Sequence, residues 1–294
     1  RKFIVPIIKL SVVIPSRNRP NLLRKCLIAL NKERHLVFEI IVGNDSSLKY
    51  LEAYQGIRDE FKIKLIKGKK KGLYKNHNHL YKSAKGTHVR VMDDDHIIPS
   101  NHIFETLKFI RSDTKAIWSI GEKQPLNPKW PKKGRYPGEL TSGGFSDNLK
   151  NIDDCTAIGC GSTIYPIEIF KKKIFYIERY KFGSIWLEFG VRLKMLGYKI
   201  RVMPNIFINH YYNENKRSFN DLKMNQETRI VMILFYNLIF KRNIKNIFLG
   251  LYYIIKFILF EHGDNKISIL LSAYKNFIDI KKSGIWNFKA NSKF

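Results

Sequence analysis

The chain has 294 residues, with 53 Lys and Arg against 25 Asp and Glu, for a formal net charge of +28. That length holds one sizeable α/β domain and a smaller appendage, and ordinary apolar and charged fractions (44% and 27%) argue against a disordered chain. Part of the charge follows from heavy use of Lys throughout, as an AT-rich genome would produce. The rest implies a partner carrying negative charge: nucleic acid, an anionic bilayer or a phosphorylated substrate.

Cys26, Cys155 and Cys160 are odd in number and form no CxxC pattern, which speaks against a disulfide framework or zinc site and for a reducing compartment. No secretory signal is read at the start, which is Arg1 rather than Met, so the native start stays open. No apolar run reaches the roughly 18 to 20 residues a membrane span needs. The nearest, Ile230–Phe240 and Ile247–Phe260, are interrupted by Asn237, Lys241-Arg242 and Lys256.

In chain order, Lys9–Pro15 is a β-branched run closed by Pro and predicts a buried strand. Leu22, Leu23, Cys26, Leu27 and Leu30 then recur at helical spacing. Phe38–Val42 predicts a second strand, ending in the loop-forming Gly43–Ser47. A helix over Tyr50–Phe61, a strand at Ile63–Ile66, a basic loop at Lys69–Gly72 and a helix over Tyr74–Ala84 follow. The strand Thr87–Met92 runs straight into Asp93-Asp94-Asp95. Such alternation implies a mainly parallel sheet with helices on both faces, whose ligands bind beyond the carboxyl ends of the strands. Ser16–Arg19, Asn44–Ser47 and Asp93–His96 all fall at such ends.

Pro125–Gly144 reads as a long substrate-side loop. Cys160–Pro204 is a smaller α/β stretch with a helix over Trp186–Leu196 closed by Gly197. Beyond residue 212 the character changes, so a catalytic domain (1–212) and a C-terminal helical segment (213–294) are expected. That segment should hold helices near Asn220–Phe240, Ile244–Phe260 and Lys266–Lys281, broken at Lys241–Asn243 and Gly263. In the last, Ile267, Leu270, Leu271, Tyr274, Phe277 and Ile278 share a face, with Lys275, Lys281 and Lys282 outside it. Helices of this kind suit an interfacial position on anionic lipid, or a cap buried on the catalytic domain or a partner.

Carboxylates at a strand end can divide a task, one holding a divalent cation and one a sugar or ribose hydroxyl. Hard oxygen ligands suit Mg²⁺ or Mn²⁺ shared with a substrate's phosphates. The segments SVVIPSRNRP, EIIVGNDSS, KKGLYKNHNHLYKSAKGTHVRVMDDD and WLEFGVRLKMLGYKI, in this order, resemble the serial motifs of glycosyltransferase family 2, over about Leu10 to His210. The resemblance implies a GT-A fold and inverting transfer from a nucleotide-diphosphate sugar, with a UDP-sugar as the expected donor and Mn²⁺ or Mg²⁺ as cofactor. It places Pro15 and Arg17 at the nucleotide, Asp45 at the base, and Asn78 in the family's "ARN" stretch. Asp93 falls near ribose and sugar, with Asp94 beside it, Asp95 at the metal, and His210 at metal or diphosphate.

Two departures stand out. His77 replaces the Arg of "ARN", so one phosphate or base contact is changed. Ile185-Trp186 replaces an acidic pair whose Asp is the family's usual general base. Inverting transfer needs a carboxylate to take the acceptor proton, which leaves Glu188, or else Asp153 or Asp154, for that role. Glu188 also stands four residues before Arg192, where a plain salt bridge would form.

The acceptor implied is a glycan or a lipid-linked glycan, as in polysaccharide biosynthesis. With the basic helices, this leads to the expectation of a cytoplasmic hexosyltransferase, peripheral on the inner face of the plasma membrane. A non-catalytic basic module binding membrane or nucleic acid is the alternative, although no groove-reading motif supports nucleic acid. A nucleotidyltransferase would need a Gly-rich, Lys-containing loop after the first strand, and PSRNRPN is not one.

Overall fold

The structure, a computed structural model, describes residues 7–147, 149–211, 221–261 and 265–288. Its first half follows the predicted alternation: β1 (Leu10–Ser16), α1 (Pro20–Asn31), β2 (Glu39–Asn44), α2 (Leu51–Phe61), β3 (Lys64–Lys67), α3 (Leu73–Ser83) and β4 (His88–Val91). Pro20 at the start of α1 costs no hydrogen bond, since the first helical N–H groups have no intrahelical partner. A two-residue strand, β5 (His96–Ile97), follows the three aspartates. Between Ile97 and Pro125, where no element is predicted above, lie α4 (His102–Ser112) and β6 (Ile117–Lys123).

A small hairpin, β7 (Glu139–Leu140) with β8 (Ser146–Asp147), stands within and beside the predicted loop. Then come β9 (Thr163–Pro166), α5 (Glu168–Lys171), α6 (Ile185–Met195) and β10 (Ile200–His210). The main sheet has eight strands in the order β3-β2-β1-β4-β9-β6-β10-β5. β3, β2, β1 and β4 run parallel, as do β6 and β10; β9 is antiparallel to both its neighbours, and β5 to β10. Every residue of β1 is buried, as a strand covered by helices on both faces must be.

The predicted boundary at 212 and the break at Gly263 lie outside the described residues. Past them are α7 (Leu222–Phe235), a π-helical turn at Tyr236–Phe240, α8 (Ile244–Phe260) and α9 (Lys266–Lys282). One hydrophobic core takes in Val89, Phe189 and Val202 together with Phe235 and Phe277, so α7 and α9 share the core of the catalytic sheet. The inward face of α9 is Ile269, Ala273, Phe277 and Ile280. Of the face predicted from sequence, Ile267, Leu271 and Tyr274 point outward.

Candidate active site

The site forms where the strands end. Asp45 N–H donates to the Ser16 carbonyl (2.9 Å), and Met92 N–H to the Val13 carbonyl (3.0 Å), so the ends of β2 and β4 are tied to β1. β5 turns back from β4 and pairs with the end of β10, setting His96 opposite His210. This pairing brings a residue more than a hundred positions away to the aspartates. The resulting cleft has a volume of about 460 Å³, and Pro15, Arg17, Asp45, Asp93, Asp95 and His210 all line it. Asn76, Cys160, Phe182, Trp186 and Asn225 contribute to its walls.

Asp45 is buried, and one carboxylate oxygen accepts the Lys70 N–H at 2.8 Å. A Cβ on Gly68 would stand 1.9 Å from that oxygen, so only glycine lets the basic loop close over Asp45. Asp93 has the same relation to Gly161, whose Cβ would fall 2.3 Å from Asp93 Oδ2.

Asp93, Asp95, His96 and His210 each offer one ligand atom, all within 4.8 Å of one another. Asp95 Oδ2 accepts from Arg19 Nη1 at 2.9 Å, and Asp95 Oδ1 lies 3.3 Å from His210 Nε2. On the far side of the ring, His210 Nδ1 lies 3.2 Å from Glu122 Oε2, at the end of β6. Burial alone would lower the His210 pKa, but Asp95 and Glu122 push it up to about 10. Burial opposes ionisation of Asp95 too, yet His210, His96 and Arg19 hold it well below the usual carboxylate range.

His96 Nδ1 accepts the Asp93 N–H at 3.2 Å, which leaves the proton on Nε2, 3.6 Å from Asp93 Oδ2. His96 thus fixes the Asp93 backbone. Asp95 Oδ1 and His96 Nε2 are buried without a well-formed hydrogen bond. Two carboxylates and an imidazole, with a buried oxygen so poorly satisfied, fit a divalent cation of the Mn²⁺ or Mg²⁺ kind. Asp93, Asp95 and His210 are the residues that would hold it.

Five predicted site residues lie elsewhere. Asp94 is wholly buried and binds Ser16 Oγ (2.6 Å) and the Arg19 guanidinium, so it braces the loop after β1. Asn78 exchanges hydrogen bonds with the Tyr176 backbone (2.9 and 3.0 Å) in the interior. Its neighbour Asn76 lines the cleft instead, because residues two apart on a helix point roughly 200° away from each other.

The same geometry moves Glu188. Trp186 faces the cleft, so Glu188 turns into the core, fully buried. Its carboxylate accepts from Arg192 Nε (2.7 Å) and Trp286 Nε1 (2.8 Å). A carboxylate so enclosed cannot reach an acceptor hydroxyl, which corrects the expectation that it is the base. Asp153 and Asp154 are exposed, pair with Arg201 and Lys194, and do not line the cleft either. His77 is buried among Tyr74, Tyr81 and Tyr176 with both ring nitrogens unbonded, so it makes no ligand contact in place of the arginine.

Glu122 is the residue that motif reading missed. Its signal was an acid closing the apolar run IWSIGEK, a strand end like the other three.

The sequence profile of glycosyl transferase family 2 matches residues 11–175, more than half the chain and the part that builds β1 through β9. The chain belongs to glycosyl transferase family 2. Among curated proteins, it is 26% identical over 170 residues to an uncharacterized glycosyltransferase of Rickettsia bellii, covering 57% of this chain and 24% of that protein. A counterpart from Rickettsia felis is 26% identical over 169 residues, covering 57% and 27%. The chain thus spans about a quarter of the length of these relatives.

Among solved structures, S. aureus TarS 1–349 in complex with UDP-GlcNAc superposes with a TM-score of 0.62 at 17% identity, covering 92% of this chain and 81% of that one. A mannosyltransferase from Pyrobaculum calidifontis in complex with GDP-Man and Mn²⁺ gives 0.56 at 13%, covering 97% and 74%. The fold is GT-A.

Proposed function

We propose that the chain is an inverting glycosyltransferase that moves a hexosyl group from a UDP-sugar to a hydroxyl of a glycan acceptor, assisted by a divalent metal. The observation that carries the reading is the convergence of Asp45, Asp93, Asp95 and His210 on one cleft at the carboxyl ends of the strands. The UDP-GlcNAc complex of TarS, a protein of the same fold, supports the choice of nucleotide.

In this reading Asp45 accepts a hydrogen bond from the base, and Arg17 and the backbone of the Lys69–Gly72 loop face the phosphates. A metal ion held by Asp93, Asp95 and His210 would supply positive charge against the departing diphosphate. Phe182 and Trp186 line the cleft and offer apolar faces against which a sugar ring can stack. Trp186 stands where relatives are expected to carry the basic carboxylate. Among the described residues, the carboxylates lining the cleft are Asp45, Asp93 and Asp95.

Thermal shift across a panel of nucleotide-sugars, with and without Mn²⁺, tests the proposal. A UDP-sugar with Mn²⁺ is expected to stabilise the protein most, and release of UDP on adding acceptor should follow. Stabilisation by no nucleotide-sugar under either condition would remove it.

A further inference from the structure

α8 presents apolar residues at helical spacing to solvent. Ile244, Ile247, Phe248, Leu251, Ile255 and Leu259 form a continuous stripe, and each is at least 42% exposed. Such a stripe ordinarily marks the face a helix buries. The inward face of α8, with Gly250 and Phe257, is apolar as well. Ile267, Leu271 and Tyr274 of α9, spaced by four and three residues, are exposed too. A helix apolar on two opposite sides needs cover on both, and the protein covers one.

The charges beside the stripe identify the other. Lys245 and Lys256 lie eleven residues apart, almost in line along the helix, and border one edge of the stripe, with Lys241 and Arg242 at its start; all four are exposed. Glu261, the one acid described between Lys241 and Lys275, is bound by Arg229. Apolar side chains flanked by lysines match an acyl boundary beneath anionic headgroups, where long cationic side chains extend to the phosphates. A second copy of the chain fits less well, because pairing this face with itself would bring the same basic residues together on molecules of net charge +28.

We infer that the outer face of α8, extended by Ile267, Leu271 and Tyr274 of α9, docks on an anionic lipid bilayer. No described helix is long and apolar enough to cross a membrane, so the contact is interfacial. Glu261, which caps α8, holds Arg229, one turn along α7 from the cleft residue Asn225. A docked chain would meet an acceptor carried on lipid at the membrane. That consequence alone rests on the function proposed above.

Co-sedimentation of the full chain with vesicles tests the docking without any nucleotide. Binding is expected to vesicles of phosphatidylcholine with phosphatidylglycerol, and to fall at least tenfold on pure phosphatidylcholine or in high salt. Lys245→Glu with Lys256→Glu should weaken binding by about fivefold or more per residue. Phe248→Ser with Leu251→Ser should weaken it at any salt. Circular dichroism, and the thermal shift given by UDP with Mn²⁺, report whether the variants keep their fold and cleft. Equal binding by folded variants and parent would overturn the inference. So would a dimer in sedimentation equilibrium that Leu251→Asp dissociates. Vesicle binding by a full chain that shows no transfer from any nucleotide-sugar would instead count against the glycosyltransferase reading.

Discussion

Glu122 Oε2 lies 3.2 Å from His210 Nδ1 and turns the imidazole so that its other nitrogen faces Asp95. Partners of this kind orient a metal-binding histidine and set its tautomer, and their loss typically costs about 10 to 100-fold in affinity. Glu122→Gln is therefore expected to weaken Mn²⁺ binding within that range, read by calorimetry or by electron paramagnetic resonance of free Mn²⁺. Unchanged affinity would remove Glu122 from the site.

Glu188 predicts a different phenotype from that of a general base. Its replacement by Gln leaves the Arg192 guanidinium buried without a counter-ion, and breaking a buried pair costs about 3–5 kcal/mol. Glu188→Gln should lower the denaturation midpoint while leaving transfer per folded molecule nearly unchanged. A loss of about 10² to 10⁴ in rate with stability intact would restore it as the base.

Gly161→Ala isolates the setting of Asp93. The added methyl overlaps Asp93 Oδ2, and the carboxylate must rotate or the loop must move. Weaker Mn²⁺ binding with a native circular dichroism spectrum is expected. Full affinity would show that the 160–162 segment yields without disturbing Asp93.

Which parts of this were legible in sequence follows from the periods involved. β1, β2 and β4 are short apolar runs ending in polar clusters, so their ends, and with them Asp45, Asp93 and Asp95, could be placed by pattern alone. His210 required the β5–β10 pairing, which no local signal encodes, and was located by its motif. Asn78 and Glu188 were misplaced because motif spacing fixes position along a helix but not which face meets the cleft; in each case a residue two positions earlier takes that place. The outward stripe of α8 follows a helical period as faithfully as a core face does. Only the fold shows which way it points.

His77 links the core to pH. Burial among aromatic rings lowers its pKa from 6.5 to about 3. The folded protein therefore keeps it neutral where the unfolded chain binds a proton. Its contribution is fully present above pH 6.5 and is lost progressively as pH falls toward 3, at up to about 1.4 kcal/mol per unit. His77→Phe should flatten the decline in stability between pH 6 and 4, measured by urea denaturation. An identical slope would show that other groups carry the acid sensitivity.

The central claim is that Asp95 and a donor diphosphate share a cation, and calorimetric titration of UDP into the protein tests it most directly. With Mn²⁺ present, affinity should rise by about tenfold or more, and Asp95→Ala should abolish that gain while the protein stays folded. Equal UDP affinity in excess chelator and in Mn²⁺, or a metal-dependent gain that survives Asp95→Ala, would contradict the account.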